Sequence, residues 1–433
     1  MKQIQLLIVI LLFTFPVWTV NAQWTQRANL NDYNVNTFLQ IGTHIFAGTS
    51  HGVYLSTNDG TNWSAANKGL VTGISCLVMI GNNLFASDGM TGVYRSTDNG
   101  ANWTAVNNGL SNLSVRALAV KEELILAGTE GSSSYNSGMF LTSDNGNTWS
   151  YINTGLENDS RINSIAVYED KIFVTSNYYR GMLLGGVYLS TNNGSTWAKI
   201  NNGLYNINCY PLAVVSVDRL SGPDLYMGDA ASPNGQLPSG AHLSTDCGSS
   251  WQGGSLGIEN QTVLSFTPFG EKVFAIVKGP YLPAIYLTTS HDSEWTSVNQ
   301  DGLPNAEIIS LSVIGTELYA GIAQKGIWSR PLSEITDIVD HQPDIPGNFL
   351  LNQNYPNPFN PQTNISFAIP QSRFVTLKIF DLLGKETATL VNEYKQAGNY
   401  TVKFDGSNLP SGVYFYRIEA GEFKEAKKFL LMK

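Results

Sequence analysis

Eight residues recur six times along this chain, with a tryptophan always last. They are Ser56–Trp63 (STNDGTNW), Ser96–Trp103 (STDNGANW), Thr142–Trp149 (TSDNGNTW), Ser190–Trp197 (STNNGSTW), Ser244–Trp251 (STDCGSSW) and the degenerate Thr288–Trp295 (TTSHDSEW). Recurrence at intervals of roughly 40–54 residues marks a propeller or solenoid, in which a single unit cannot bury its own apolar face. Three more elements repeat in phase: an apolar strand (Leu118–Val120, Ile165–Val167), an AGT strand (Phe46–Thr49, Leu126–Thr129) and a GVY strand (Gly52–Tyr54, Gly92–Tyr94, Gly186–Tyr188). An Asn-x-Gly-Leu exit follows the octad, as in Asn67–Leu70 and Asn107–Leu110. The pattern predicts four strands per unit.

The count then decides the architecture. The GVY-type strand occurs seven times, ending with Gly240–Leu243, Ala284–Leu287 and Gly326–Ser329, whereas only six terminal tryptophans follow one. The missing piece stands at the other end, at Trp24 and Thr25. A ring closed by a split unit removes the sheet edges that invite aggregation. The sequence therefore predicts an all-β chain: a seven-bladed β-propeller over residues 23–330, followed by a second, smaller domain.

The octad resembles the Asp-box (BNR) hairpin of sialidases, xyloglucanases and related propellers. The chemistry of its residues agrees. Asn58, Asp98, Asp144, Asn192 and Asp246 can accept backbone N–H bonds in a tight turn. Gly60, Gly100, Gly146, Gly194 and Gly248 suit a left-handed backbone. Trp63, Trp103, Trp149, Trp197, Trp251 and Trp295 each offer roughly 150–250 Å² for burial. The expected role is structural, because one position repeated in successive blades spreads around a rim and converges on no pocket.

The termini predict the route of the protein. Met1–Ala22 has a basic start at Lys2, an apolar core interrupted by Pro16 and a Val20-Asn21-Ala22 cleavage motif, so 1–22 reads as a signal peptide. No later stretch is long and apolar enough to span a bilayer. Three cysteines, Cys76, Cys209 and Cys247, are an odd number for an exported chain, and they fall at positions unsuited to pairing. Residues 331–348, acidic and proline-containing, read as a linker.

Residues 349–433 form the second domain. The segment opens with Asn354-Tyr355-Pro356-Asn357-Pro358-Phe359-Asn360-Pro361, and Val375, Leu377 and Ile379 alternate with Thr376 and Lys378. Leu409-Pro410-Ser411-Gly412-Val413-Tyr414-Phe415-Tyr416 follows, and the chain ends in Lys427-Lys428-Phe429-Leu430-Leu431-Met432-Lys433. Such alternation marks half-buried strands, and roughly seven of them suggest a small immunoglobulin-like β-sandwich. These motifs resemble the type A C-terminal sorting domain of the type IX secretion system of Bacteroidetes and their relatives. The resemblance implies recognition by the outer-membrane translocon and the surface-attachment machinery. It implies secretion from, or display on the outer membrane of, a Gram-negative bacterium.

Function is less constrained, since the propeller fold hosts enzymes and binders alike. Net charge is −9 at pH 7, and no basic stripe suited to nucleic acid is present. Sialidase-like ancestry would imply three arginines converging on a substrate carboxylate, together with a Phe/Tyr-Arg-Ile-Pro element that is absent before the first octad. Xyloglucanase-like enzymes would imply two propellers with a cleft between them. No metal-ligand spacing, phosphate-binding loop or Ser-His-Asp arrangement stands out, so no metal, cofactor or catalytic residue is expected. The sequence favours a monomeric, non-enzymatic binder of glycan or protein. The alternative is a secreted glycoside hydrolase. The expected binding face carries the inter-blade loops, opposite the octads, with Arg116, Arg161, Tyr178, Tyr179, Arg180, Tyr205, Tyr210 and Glu307 as candidates and Glu157 and Asp159 beside the arginines.

Overall fold

The computed structural model describes residues 23–28, 30, 32–132, 136–157, 159–178, 185–204, 209–215, 222–230, 239–279, 282–289, 294–298, 300–335, 349–370, 373–395, 398–421 and 423–432. The expected signal peptide lies outside them. The chain is all-β; among the described residues the one helical segment is a 3-10 turn at Leu332–Glu334.

Alternating apolar strands joined by tight turns give seven four-stranded antiparallel sheets. Their first strands are Val35–Ile41, Cys76–Ile80, Val115–Lys121, Ser160–Tyr168, Cys209–Val215, Thr262–Phe269 and Ile308–Ile314, and we number the sheets one to seven in that order. Each first strand lies against that of the next sheet, and the seventh lies against the first. The result is a closed, propeller-like ring. Sheet seven takes its fourth strand from the start of the chain, Thr25–Ala28, which pairs antiparallel with Gly326–Pro331.

The ring has no single central core. Apolar side chains gather in seven clusters, each shared by two neighbouring sheets. Phe85, Val93, Leu118 and Phe140 fill the space between sheets two and three. Val35, Ile45, Ile314 and Tyr319 do the same between seven and one, across the point of closure. No blade buries its own face without a neighbour, which is the physical reason for the repeat.

The octad fastens these sheets. In Ser96–Trp103, Ser96 Oγ accepts from Gly100 N at 2.9 Å and donates to Asp98 Oδ1 at 2.8 Å. Asp98 Oδ1 in turn accepts from Asn102 N at 2.8 Å. Asn99 and Gly100 are both left-handed, φ 56 and 86°. The tryptophan then reaches sideways: Trp103 donates from Nε1 to Ala66 O at 2.8 Å and from its amide to Lys68 O at 2.9 Å, both in the preceding unit. Trp149, Trp197, Trp251 and Trp295 repeat the bridge to Val106, Ile152, Ile200 and Gly254. Trp24, 2% exposed, donates its amide to Asp301 O and serves the seventh unit in the same way. Trp63 departs from the expected pattern. It is only half-buried, and its indole bonds to Gly60 O within its own turn, where Tyr319 of sheet seven packs close by.

The Asn-x-Gly-Leu exit has two jobs. Asn107 Oδ1 accepts from Val93 N at 2.7 Å and its Nδ2 donates to Thr91 O at 2.9 Å, so it ties the exit to the start of the third strand. Gly109 sits under the next tryptophan, where an added Cβ would meet Trp149 O at 2.2 Å.

The expected linker starts too early. Pro331 still belongs to a strand, and Leu332 and Ile335 are buried in the cluster between sheets six and seven, so the ring extends to Ile335. The hydrophobic side chains there outweigh the acidic, proline-containing composition. All three cysteines are free. Burial pushes the Cys76 thiol to about 11 and raises those of Cys209 and Cys247, so all three are held in the protonated form.

The tail is β-rich and has its own core. Leu350–Leu351, Gln362–Ile369 and Gly398–Asp405 form a three-stranded sheet; Glu386–Lys395, Arg373–Phe380, Gly412–Ala420 and Phe423–Leu431 form a four-stranded one. Phe359 is buried against Phe404 and Phe429, and its amide donates to Leu430 O while its carbonyl accepts from Met432 N. The proline-rich opening and the basic end of the tail are thus two sides of one joint.

Candidate functional site

On the face opposite the octads, second strands end and first strands begin. Arg116 stands on the first strand of sheet three and Arg161 on that of sheet four. Between them lies Glu130, the residue after the second strand of sheet three. Arg116 Nε ion-pairs with Glu130 Oε2, and Arg161 Nε stands 3.2 Å from Glu130 Oε1. Two guanidinium groups therefore converge on one carboxylate, leaving one positive charge in the trio.

The position of Glu130 is set by local bonding. Its amide donates to Ser114 O at 2.8 Å, its carbonyl accepts from Asn112 Nδ2 at 2.9 Å, and Asn112 Oδ1 accepts from Ser114 N at 3.0 Å. The Arg116 side chain is 48% exposed, against 29% for Arg161 and 22% for Glu130. Solvent thus reaches the site chiefly along Arg116.

The sequence placed Glu157 and Asp159 beside these arginines. Glu157 instead pairs with Lys199 at 3.2 Å, and Asp159 occupies a left-handed turn position, φ 59°. Glu130 was not among the candidates, since nothing in the repeat singles out the residue after Thr129.

Among the other candidates that are described, Tyr210 and Glu307 stand at other blade junctions. Tyr178 ends the second strand of sheet four, paired with Ser160. Tyr210 lies half-buried on the first strand of sheet five, where its carbonyl accepts from Thr175 Oγ1 at 2.6 Å. Glu307 faces Lys278 at 3.8 Å, near the junction of sheets six and seven. Tyr179, Arg180 and Tyr205 lie outside the described residues.

A second pairing was also missed. Asp229 Oδ2 and His242 Nε2 meet at 3.0 Å in sheet five, both buried, and Asp229 Oδ1 accepts from Gly240 N at 2.6 Å. His242 stands where other units carry the aromatic of GVY, and so joins a strand where a site would not be sought. Among the described residues no three His, Cys, Asp or Glu side chains gather as metal ligands. No helix among them is long and apolar enough to cross a membrane.

Residues 353–432 match the family model of the secretion system C-terminal sorting domain. The tail is a sorting domain. It marks the chain for secretion or cell-surface display by the type IX system and for interaction with the secretion machinery. Residues 15–207 match the DUF6242 beta propeller domain. No curated protein matches the chain in sequence.

Solved structures share the fold. PorZ, described as an essential bacterial surface component of the type-IX secretion system of Porphyromonas gingivalis, superposes with a TM-score of 0.53 at 14% identity, over 92% of this chain and 59% of its own. The chain thus spans well under two thirds of PorZ. A GH74 xyloglucanase from Xanthomonas campestris gives 0.54 at 14% identity, over 80% of this chain and 59% of its own. YCF48, solved bound to a D1 peptide, gives 0.50 at 13% identity over 72% and 99%.

Proposed function

We propose that the chain is a secreted or surface-displayed binding module: a seven-bladed β-propeller of the Asp-box type, exported through an immunoglobulin-like sorting domain, that recognises a glycan or protein outside the cell. The observation that carries this reading is the division of labour within the ring. The octads and Asn-x-Gly-Leu exits are consumed by bonds within their own turn and sheet and by the tryptophan bridges to the neighbouring sheet. The opposite face, by contrast, gathers Arg116, Glu130 and Arg161 at one blade junction.

Two guanidinium groups converging on a carboxylate suit an anionic group on a ligand, with Glu130 holding their orientation until one arrives. PorZ, described as a bacterial surface component, and YCF48, solved bound to a peptide, share the fold and fit this reading. The xyloglucanase neighbour keeps glycoside hydrolysis as the second reading. Residues 23–335, screened on a glycan array beside a panel of chromogenic glycosides, separate the two. Saturable binding without turnover supports the module, and turnover of any glycoside overturns it.

A further inference from the structure

The tail carries an apolar surface that its own core does not use. Leu383 is 94% exposed and Leu382 67%, at the tip of the turn after Arg373–Phe380. Phe415 lies beside them, paired across the sheet with Phe380. Phe380, Leu382, Gly384, Phe415, Arg417 and Ala426 line one shallow groove together with Asp381, whose carboxylate is taken up by the turn.

The turn presenting the leucines is rigid. Asp381 Oδ1 accepts from Leu383 N and Lys385 N, both at 2.9 Å, and Gly384 N closes back on Asp381 O at 3.0 Å with φ 78°. The Arg417 guanidinium stacks on Phe380, 4.8 Å from its ring centre, and pairs with Glu419 at 3.0 Å, so it serves to pack the groove. Lys428 faces Phe415 across the next strand pair, and Lys385 follows the leucines directly. A hydrogen bond between ring and tail, from Gly42 N to the Tyr394 hydroxyl at 3.0 Å, lies toward the far end of Glu386–Lys395. The patch is therefore clear of the ring.

We propose that this leucine-tipped turn, with Phe415 and the cations Lys385 and Lys428 at its edge, is the surface by which the sorting domain docks on a protein of the secretion machinery that presents an apolar pocket edged with carboxylates. The occupant follows from the chemistry. Two adjacent exposed leucines on a pre-ordered turn lose little conformational freedom when they enter a pocket, an exposed patch of this kind marks an interaction site, and the cations at its edge call for acids opposite. The inference rests on the export reading and adds the residues that are read.

The test uses the full chain in its secreting host, with Leu382→Ser/Leu383→Ser, Lys385→Glu/Lys428→Glu, the exposed-leucine control Leu350→Ser, and deletion of 349–433. Extracellular protein is expected to fall about tenfold or more in each double variant, with periplasmic accumulation, unchanged melting of the purified chains and no effect in the control. Normal secretion of the leucine variant while the deletion is blocked overturns the docking surface alone; normal secretion of the deletion overturns the export reading beneath it. A photo-crosslinker at position 383 that labels lipid and no protein assigns the patch to the membrane and overturns the proposed partner. Should either double variant melt lower, Leu383→Ser alone is scored in its place, and its normal secretion likewise overturns the docking surface.

Discussion

Ser310 donates its hydroxyl to the carbonyl of Val35 at 2.6 Å, a buried bond between residues 275 apart in sequence. It joins the first strand of sheet seven to that of sheet one, where the ring must close. Equivalent side-chain bonds run between other neighbours: Asn36 to Ile74 O, Asn163 to Cys209 O and Thr267 to Leu311 O. Closure therefore uses the same device as propagation.

Closure can be weakened from either side. Ser310→Ala leaves the Val35 carbonyl buried without this donor and is expected to cost about 1–3 kcal/mol. Removal of 23–28 takes away Trp24, the fourth strand of sheet seven and the Arg27–Glu317 ion pair at once. Thermal melting should fall much further for this truncation than for Ser310→Ala. Equal melting of the truncated and intact rings would show that the N-terminal strand is not part of closure.

The tryptophans should differ among themselves. Trp103→Ala removes a buried indole and its bond to sheet one, an expected loss of about 3–5 kcal/mol. Trp63→Ala should cost clearly less, because Trp63 is half-exposed and bonds within its own turn. Gly109→Ala should be as damaging as Trp103→Ala, since φ is 93° and the new methyl meets the Trp149 carbonyl. Chemical denaturation of the three variants ranks them, and equal losses at Trp63 and Trp103 would contradict the bridging role.

The ring could be read from the sequence because its bonds repeat. Each octad, exit asparagine and GVY glycine recurs in phase, so six imperfect copies announce one geometry and the unmatched third strand points to Trp24. Glu130 had no such signal. Its partners come from another strand and another sheet, and no copy of the trio occurs elsewhere among the described residues. Leu332 and Ile335 were hidden for a different reason: the composition around them is that of a linker, and only tertiary packing draws them into the core. Trp63 matches the motif in full, yet its neighbour is the one sheet assembled from both ends of the ring segment.

Acid should loosen the turns in a defined window. Hydrogen bonds from the Asn102 side chain and backbone lower the Asp98 carboxyl, and those from Thr148 hold Asp144 at about 2. Partial burial pushes Asp246 up, but Ser250 and Ser244 outweigh it and the net shift is downward. A carboxyl lowered in the folded state stabilises above its ordinary value near 3.9. That contribution is lost as pH falls through the folded value. Melting temperature should therefore drop between about pH 4 and pH 2. The triple variant Asp98→Asn/Asp144→Asn/Asp246→Asn should fold, since Asn58 and Asn192 fill the same position with the same backbone bonds. Its drop over that window should be shallower; parallel curves would trace acid sensitivity to other groups.

The arginine trio gives the sharpest test of the binding face. The Arg116 side chain is half exposed and its pair contributes under about 1 kcal/mol, whereas Arg161 and Glu130 are more shielded, so Arg116→Ala/Arg161→Ala should lower melting only modestly. An anionic ligand seated between the guanidinium groups would lose both, and its affinity should fall at least about tenfold, or about 1.4 kcal/mol. Glu130→Gln should act in the opposite direction. It removes the carboxylate that competes for the same donors while keeping a side chain of the same shape, so affinity for the anion should rise. Titration of an array-identified ligand into the three proteins decides the matter. A fall with the arginine variant and a rise with Glu130→Gln locate the ligand at the trio, whereas unchanged affinity in both places recognition elsewhere on the ring. A large drop in melting for the arginine variant would assign the trio to holding sheets three and four together.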